Sequence, residues 1–216
     1  MKDRIILFDL DGTLTDSAEG ILKSVRIVLT HYGIDVPDGD DLHSFIGPPL
    51  RDNFRLYGVP AEECENAVKL YRKRYFSVGK FENRPYPGVK ELLSRLRDAG
   101  CRMYVATSKP EDLAIEILGH FGLLSYFDRV AGASLDGGRD SKESVIAYLF
   151  REIGVTPEDS GAVMVGDTPF DVLGAKRTGL GAIAVSWGYG TREERTNAGA
   201  SVIVDTMDEL YDALLG

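Results

Sequence analysis

Cysteine is scarce in this sequence. The 216 residues contain two, Cys64 and Cys101, in dissimilar contexts, which is no basis for a disulfide framework. Histidine is scarce too: His31, His43 and His120 stand isolated, with no metal-ligand spacing among them. No apolar run approaches the ~18 residues a membrane span needs. There is no internal repeat and no low-complexity segment. Positive charge is in deficit, with 25 Lys and Arg against 34 Asp and Glu, a formal net charge of −9. Such a surface argues against nucleic-acid polymers and anionic membranes as main partners. It argues less against small anions, because a bound metal ion inverts the field within one cleft. The chain enters a strand directly, without a signal-peptide pattern. A soluble cytoplasmic protein, monomer or homodimer, with a small molecule as partner is the expectation.

Hydrophobic residues make up 44% of the chain, enough for a sizeable core. Short apolar runs bounded by turn signals predict strands at Ile5–Phe8, Cys101–Thr107, Val130–Ala133, Ala162–Val165, Ala182–Val185 and Val202–Val204. Helical periodicity falls between them, at Gly88–Ala99, Glu111–Phe121, Ser141–Ile153 and Phe170–Thr178, with Met207–Leu215 as a closing helix. Apolar strands without polar alternation, separated by helices, predict an α/β fold with a doubly wound, Rossmann-like parallel sheet. The first gap breaks the rhythm. Ser17–Tyr32, Asp52–Tyr57 and Ala61–Val78 read as amphipathic helices with no strand among them. A small helical domain over 16–82, inserted into a core of 1–15 and 83–216, follows. Ligands of open α/β sheets bind beyond the carboxyl ends of the strands, so an insertion leaving from such an end would act as a lid.

Four motifs carry the chemistry. Ile5–Phe8 runs into Asp9-Leu10-Asp11-Gly12-Thr13. Residues two apart on a strand face the same way, about 6–7 Å apart, so Asp9 and Asp11 converge at the strand's end. Two carboxylates so close repel, and a hard divalent cation such as magnesium, which takes carboxylate and phosphate oxygens, offsets them. In the second motif, Thr107-Ser108-Lys109-Pro110, a strand ends in two hydroxyls and Pro110 stands where a helix begins. Either the hydroxyls and free amides hold a phosphate, or Ser108 is an ordinary cap. In the third, Gly137-Gly138-Arg139-Asp140-Ser141 leads to Lys142 in the first turn of a helix. The helix dipole disfavours lysine there, so Lys142 either faces anions in the cleft or is a solvated surface lysine. In the fourth, Gly166-Asp167-Thr168-Pro169-Phe170-Asp171 follows a strand. Asp167 is a metal-ligand candidate or a helix cap, and Asp171, one turn on, faces back to support it. Each motif lies at the carboxyl end of a different strand, and a doubly wound sheet gathers those ends into one crevice.

Asp9-Leu10-Asp11-Gly12-Thr13, Thr107-Ser108, Lys142, and Gly166-Asp167 with Asp171 resemble, in order and spacing, the four motifs of the haloacid dehalogenase-like hydrolases. The insertion resembles that family's small cap, and the phosphoglycolate phosphatase-like and 5′-nucleotidase-like branch is the nearest likeness. The resemblance implies a magnesium-dependent phosphatase of small phosphomonoesters. Asp9 would attack phosphorus and carry an aspartyl-phosphate, and Asp11 would serve as acid and then base. Magnesium would be held by Asp9, the main-chain carbonyl of Asp11, and Asp167. Thr107, Ser108, Lys142 and the Gly12 amide would hold phosphoryl oxygens. The cap loop, with Ile46, Gly47, Pro48, Pro49 and Arg51, would choose the substrate, with His43 nearby. One departure is Glu143 after Lys142, where many relatives have proline; Lys109, nearer Thr107, is the competing lysine. A sugar phosphomutase of the same family is a rival, although the region Asp16–Leu22 lacks the cap histidine of the mutases. A signalling receiver domain and a binding protein without catalysis are others. Trp187, after a strand, reads as packing at the sheet edge.

Overall fold

The computed structural model describes residues 3–36, 42–158 and 160–216. The chain divides into two compact units, Ser17–Arg84 and the combination of Met1–Asp16 with Pro85–Gly216.

The smaller unit is helical: α1 (Ala18–His31), α2 (Leu50–Leu56) and α3 (Cys64–Ser77), joined by short 3₁₀ turns. Its core is aromatic. Tyr71 and Tyr75 on α3 stack with centroids 5.3 Å apart, and Phe54 on α2 lies 5.1 Å from Phe45. Aromatic pairs at these distances add to the plain burial of their surface.

The larger unit contains a six-stranded sheet: β1 (Ile5–Phe8), β2 (Arg102–Pro110), β3 (Arg129–Ala133), β4 (Val163–Gly166), β5 (Gly181–Val185) and β6 (Val202–Val204). The order is β3-β2-β1-β4-β5-β6, and every pairing is parallel. Between and after the strands come α4 (Val89–Asp98), α5 (Glu111–His120), α6 (Lys142–Ile153), α7 (Pro169–Arg177), α8 (Arg192–Ala198) and α9 (Met207–Leu215). All four β1 residues are buried. Ile5 and Leu7 join Val145, Ile146, Leu149 and Phe150 of α6 in one cluster. Phe8, on the other face, meets the edge of Phe127 with centroids 6.1 Å apart. Burial on both faces is why these strands read as unbroken apolar runs. Both cysteines are buried and free. Among the described residues no helix is long and apolar enough to cross a membrane.

Two elements depart from the expectations. The strand expected to stop at Thr107 continues to Pro110, and Pro110 immediately precedes α5, whose first residue is Glu111. The register with β3 shifts there: Ala106 pairs with Ala131, but Pro110 pairs with Ala133. Extra residues on one strand of a pair re-aim the side chains they carry, and the ones displaced are Thr107, Ser108 and Lys109. The second departure is α8, which the apolar pattern did not reveal. It starts at a capping box, with Glu194 N donating to Thr191 Oγ1 at 3.2 Å and Thr191 N donating back to Glu194 Oε2 at 2.8 Å.

Candidate active site

β1 is the central strand of the site because β2 and β4 flank it. Phe8 is level with Val105 on one side and Val165 on the other. The ladder runs one step further, with Asp9 N donating to Val165 O at 2.9 Å. Asp9 therefore stands at the carboxyl edge, with Thr107 and Asp167 one residue further along the flanking chains. Gly12 turns the chain back with φ of 79°, and a Cβ there would lie 2.1 Å from Asp167 Oδ2. Glycine is required on both counts.

Lys142, in the first turn of α6, is buried. Its ammonium reaches Asp9 Oδ1 at 2.9 Å, Asp171 Oδ1 at 2.8 Å and the Ala106 carbonyl at 2.9 Å. Asp9 Oδ1 also accepts from Leu10 N at 2.8 Å. Asp171 Oδ2 accepts from Thr168 N at 3.0 Å and Thr168 Oγ1 at 2.8 Å, closing the first turn of α7. Asp167 is fully buried; Oδ1 accepts from Thr13 Oγ1 at 3.1 Å and Oδ2 from Tyr189 N at 2.7 Å. Asp11 takes a different partner. Its Oδ2 lies 2.8 Å from Lys109 Nζ, a second buried ammonium. Thr107 is buried and its Oγ1 accepts from Lys109 N at 3.2 Å; Ser108 is half-buried. The two lysines thus divide the acids: Lys142 serves Asp9 and Asp171, and Lys109 serves Asp11.

Oxygens of Asp9, Asp167 and Asp171 all lie within 4.8 Å of one another. Burial pushes the Asp9 carboxyl up to about 7, with Lys142 pulling it down and Asp171 adding to the rise. Asp167 is held well above the carboxylate range by burial and then by the charges of Asp171 and Asp9. Burial works against the Lys142 ammonium, but Asp171 and Asp9 outweigh it and hold the group above the usual lysine range. Three buried carboxylates face one ammonium, a deficit of positive charge in a set of hard oxygen donors. That donor set fits a magnesium ion.

The expected substrate loop lies in the smaller unit. Ile46 is buried, Gly47 and Pro49 are exposed, and Pro48 is half-buried. Arg51 is exposed and pairs with Glu65 at 3.2 Å. His43 is exposed. Trp187 does more than pack at an edge: its indole N–H donates to the Thr13 carbonyl at 3.1 Å. The sequence signal for this contact is Trp187-Gly188-Tyr189-Gly190, aromatics alternating with glycines directly after a strand.

A parallel sheet whose carboxyl edge gathers buried aspartates around a lysine is a site suited to a metal ion and a phosphoryl group. The sequence profile of the haloacid dehalogenase-like hydrolases matches residues 6–185, and the chain belongs to that family. It is similar to the tyrosine-protein kinase PtkA of Mycobacterium tuberculosis, 43% identical over 98% of this chain and 72% of the relative. It is 45% identical to a 5′-nucleotidase of Pseudomonas aeruginosa, over 88% of this chain and 85% of that one. A phosphoglycolate phosphatase of Caulobacter vibrioides is 32% identical over 97% and 90%. Among solved structures, a predicted phosphatase from Clostridium acetobutylicum superposes with a TM-score of 0.92 at 44% identity, covering 100% of this chain and 99% of the other. The chain is accordingly an enzyme of the phosphoric monoester hydrolase class within this family.

Proposed function

We propose that this enzyme is a magnesium-dependent phosphatase that hydrolyses small phosphomonoesters, such as phosphoglycolate, nucleotides or sugar phosphates, through an aspartyl-phosphate on Asp9. The observation that carries the reading is the buried meeting of Asp9, Asp167 and Asp171 around Lys142, with Asp11 beside them on its own lysine. An Asp9 oxygen attacks phosphorus as the ester P–O bond breaks, and Asp11 gives the departing alcohol its proton. Water then attacks the same phosphorus, Asp11 takes the water's proton, and the bond to Asp9 breaks to release phosphate. Lys142, Thr107 and Ser108 hold the phosphoryl oxygens, whose charge spreads in the transition state; the Gly12 amide, expected to join them, donates to Thr15 O at 2.8 Å instead. Asp9, Asp167 and the Asp11 carbonyl would hold magnesium, with Asp171 completing the acid cluster. When bound, the ion neutralises charge on the transferring group.

In this reading 16–82 is a cap and 1–15 with 83–216 is the catalytic core. Ile46, Gly47, Pro48, Pro49 and Arg51 choose the substrate. The protein works in the cytoplasm as a monomer or homodimer. Incubating it with p-nitrophenyl phosphate and a panel of small phosphomonoesters, with magnesium or with chelator, beside Asp9→Asn, tests the core of the proposal. Phosphate release that needs magnesium and vanishes in the variant supports it. No release by a folded, magnesium-binding protein overturns it in favour of a phosphomutase or a binding protein.

A second reading is favoured by the 43% identity to a relative named a tyrosine kinase. The same Asp9 could pass a phosphoryl group to a tyrosine hydroxyl instead of water. Incubation with γ-labelled ATP and a tyrosine-containing acceptor protein, beside a p-nitrophenyl phosphate assay, separates the two: label on tyrosine supports the kinase reading, and ester hydrolysis without labelled tyrosine supports the phosphatase.

A further inference from the structure

The loop Ser186–Gly190 after β5, together with α8, touches the acid cluster without belonging to any of the four motifs. Tyr189 N donates to Asp167 Oδ2 at 2.7 Å, and Trp187 Nε1 donates to Thr13 O at 3.1 Å. Arg195 is 2% exposed, and its Nη1 donates to two carbonyls, Asp167 O at 3.0 Å and Val185 O at 2.8 Å. The approach is as close as backbone allows. A Cβ on Gly188 would lie 2.3 Å from Asp167 Oδ2 and 2.3 Å from the Gly12 carbonyl. A Cβ on Gly190 would lie 2.4 Å from the Asp167 carbonyl.

These contacts act on one side chain from all sides. Each carboxylate oxygen has two lone pairs. Tyr189 N engages one on Oδ2 and Thr13 Oγ1 one on Oδ1, so the carboxylate plane cannot rotate without losing a bond. Arg195 holds the peptide from which that side chain springs, and Trp187 holds the residue that supplies the second donor. Burying a guanidinium opposes folding unless it is well bonded. An apolar residue would fill the same volume; one guanidinium nitrogen, Nη1, with its two hydrogens bridges the end of β5 to the Asp167 peptide.

We propose that Trp187 and Arg195 are positioning residues that, through the Ser186–Gly190 loop, fix the Asp167 carboxylate in the orientation that holds the metal ion. This rests on the metal reading above. Groups behind a metal ligand typically change metal affinity about 10- to 100-fold when removed.

The test is magnesium affinity of the metal-free protein, by calorimetry, in wild type, Trp187→Phe, Arg195→Lys and Arg195→Met, beside thermal melts without metal. About tenfold weaker binding is expected for Trp187→Phe. Arg195→Met should be weaker still, and Arg195→Lys should fall between it and wild type. At fixed low magnesium, kcat should fall with substrate KM unchanged, and excess magnesium should restore it. A merely structural role would lower the melting temperature and leave magnesium affinity alone; wild-type affinity in both Trp187→Phe and Arg195→Met overturns the proposal. If Arg195→Met does not fold, Trp187→Phe and Arg195→Lys decide by the same measurement. A wild-type protein that binds no magnesium removes the metal reading itself, and this inference with it.

Discussion

Lys142 and Lys109 show how a side chain's role follows from its partner. Both ammonium groups are buried, and a buried charge persists only when paired. Lys142 reaches two carboxylates and one carbonyl; Lys109 reaches Asp11. Removing the Lys142 ammonium leaves Asp9, Asp167 and Asp171 with no cation among them. Lys142→Met is expected to lose about 10²–10³ in kcat, the scale for one preorganised electrostatic donor, and phosphate release against magnesium-saturated wild type measures it. Lys109→Met should retain more activity, because Asp9 and Asp171 keep their cation. Abolition by Lys109→Met with activity surviving in Lys142→Met would reverse the two assignments. The residue types were legible from the sequence, whereas the sharing of acids between the two lysines was not: neighbouring position favoured Lys109 for Thr107, and the geometry gave it Asp11 as well.

At the scale of elements, α6 delivers Lys142, and its start is set by a cap. Ser141 Oγ accepts from Ser144 N at 3.2 Å, and Ser144 Oγ accepts from Ser141 N at 3.1 Å. Loss of such a cap costs about 1 kcal/mol. Ser141→Ala should therefore lower the melting temperature by roughly 2–4 °C, as expected for a chain of this size, and calorimetry reads it directly. The elements themselves were largely legible. β1 announced itself because both faces are buried, so four apolar residues run without interruption. The end of β2 was hidden because its extension depends on the register with β3, which no local pattern records. α8 carried a legible sign in Thr191 and Glu194, but its short amphipathic pattern between turns concealed it.

For the whole molecule, the acid cluster makes stability depend on pH and metal. Burial raises the Asp9 carboxyl from 3.8 to about 7. Between about pH 4 and 7 the native state therefore holds protons that the unfolded chain has released, so the stability of the metal-free protein should fall as pH rises through that window. Asp167 is shifted in the same direction. Urea titrations of metal-free protein from pH 5 to 8 should show this decline, and Asp9→Asn should flatten it. Magnesium bound only by the native state adds about 2.7 kcal/mol at one hundred times its dissociation constant. Its addition at pH 8 should raise the urea midpoint of wild type and leave Asp167→Asn nearly unmoved; equal midpoints with and without magnesium in wild type would count against the metal site. The sequence by itself determined the parallel α/β class, the order of the four motifs and their common edge, because strand and helix periods and the carboxyl-end rule are local properties that chain direction then aligns. Only the tertiary structure decided which lysine meets which acid, that Asp171 shares Lys142 with Asp9, and that Trp187, Tyr189 and Arg195 surround Asp167. Thr13 and Asp167 are 154 residues apart, and Trp187 and Thr13 174. Contacts over such separations are set by strand order and register, where β1 lies between β2 and β4, and no period in the sequence encodes that neighbourhood.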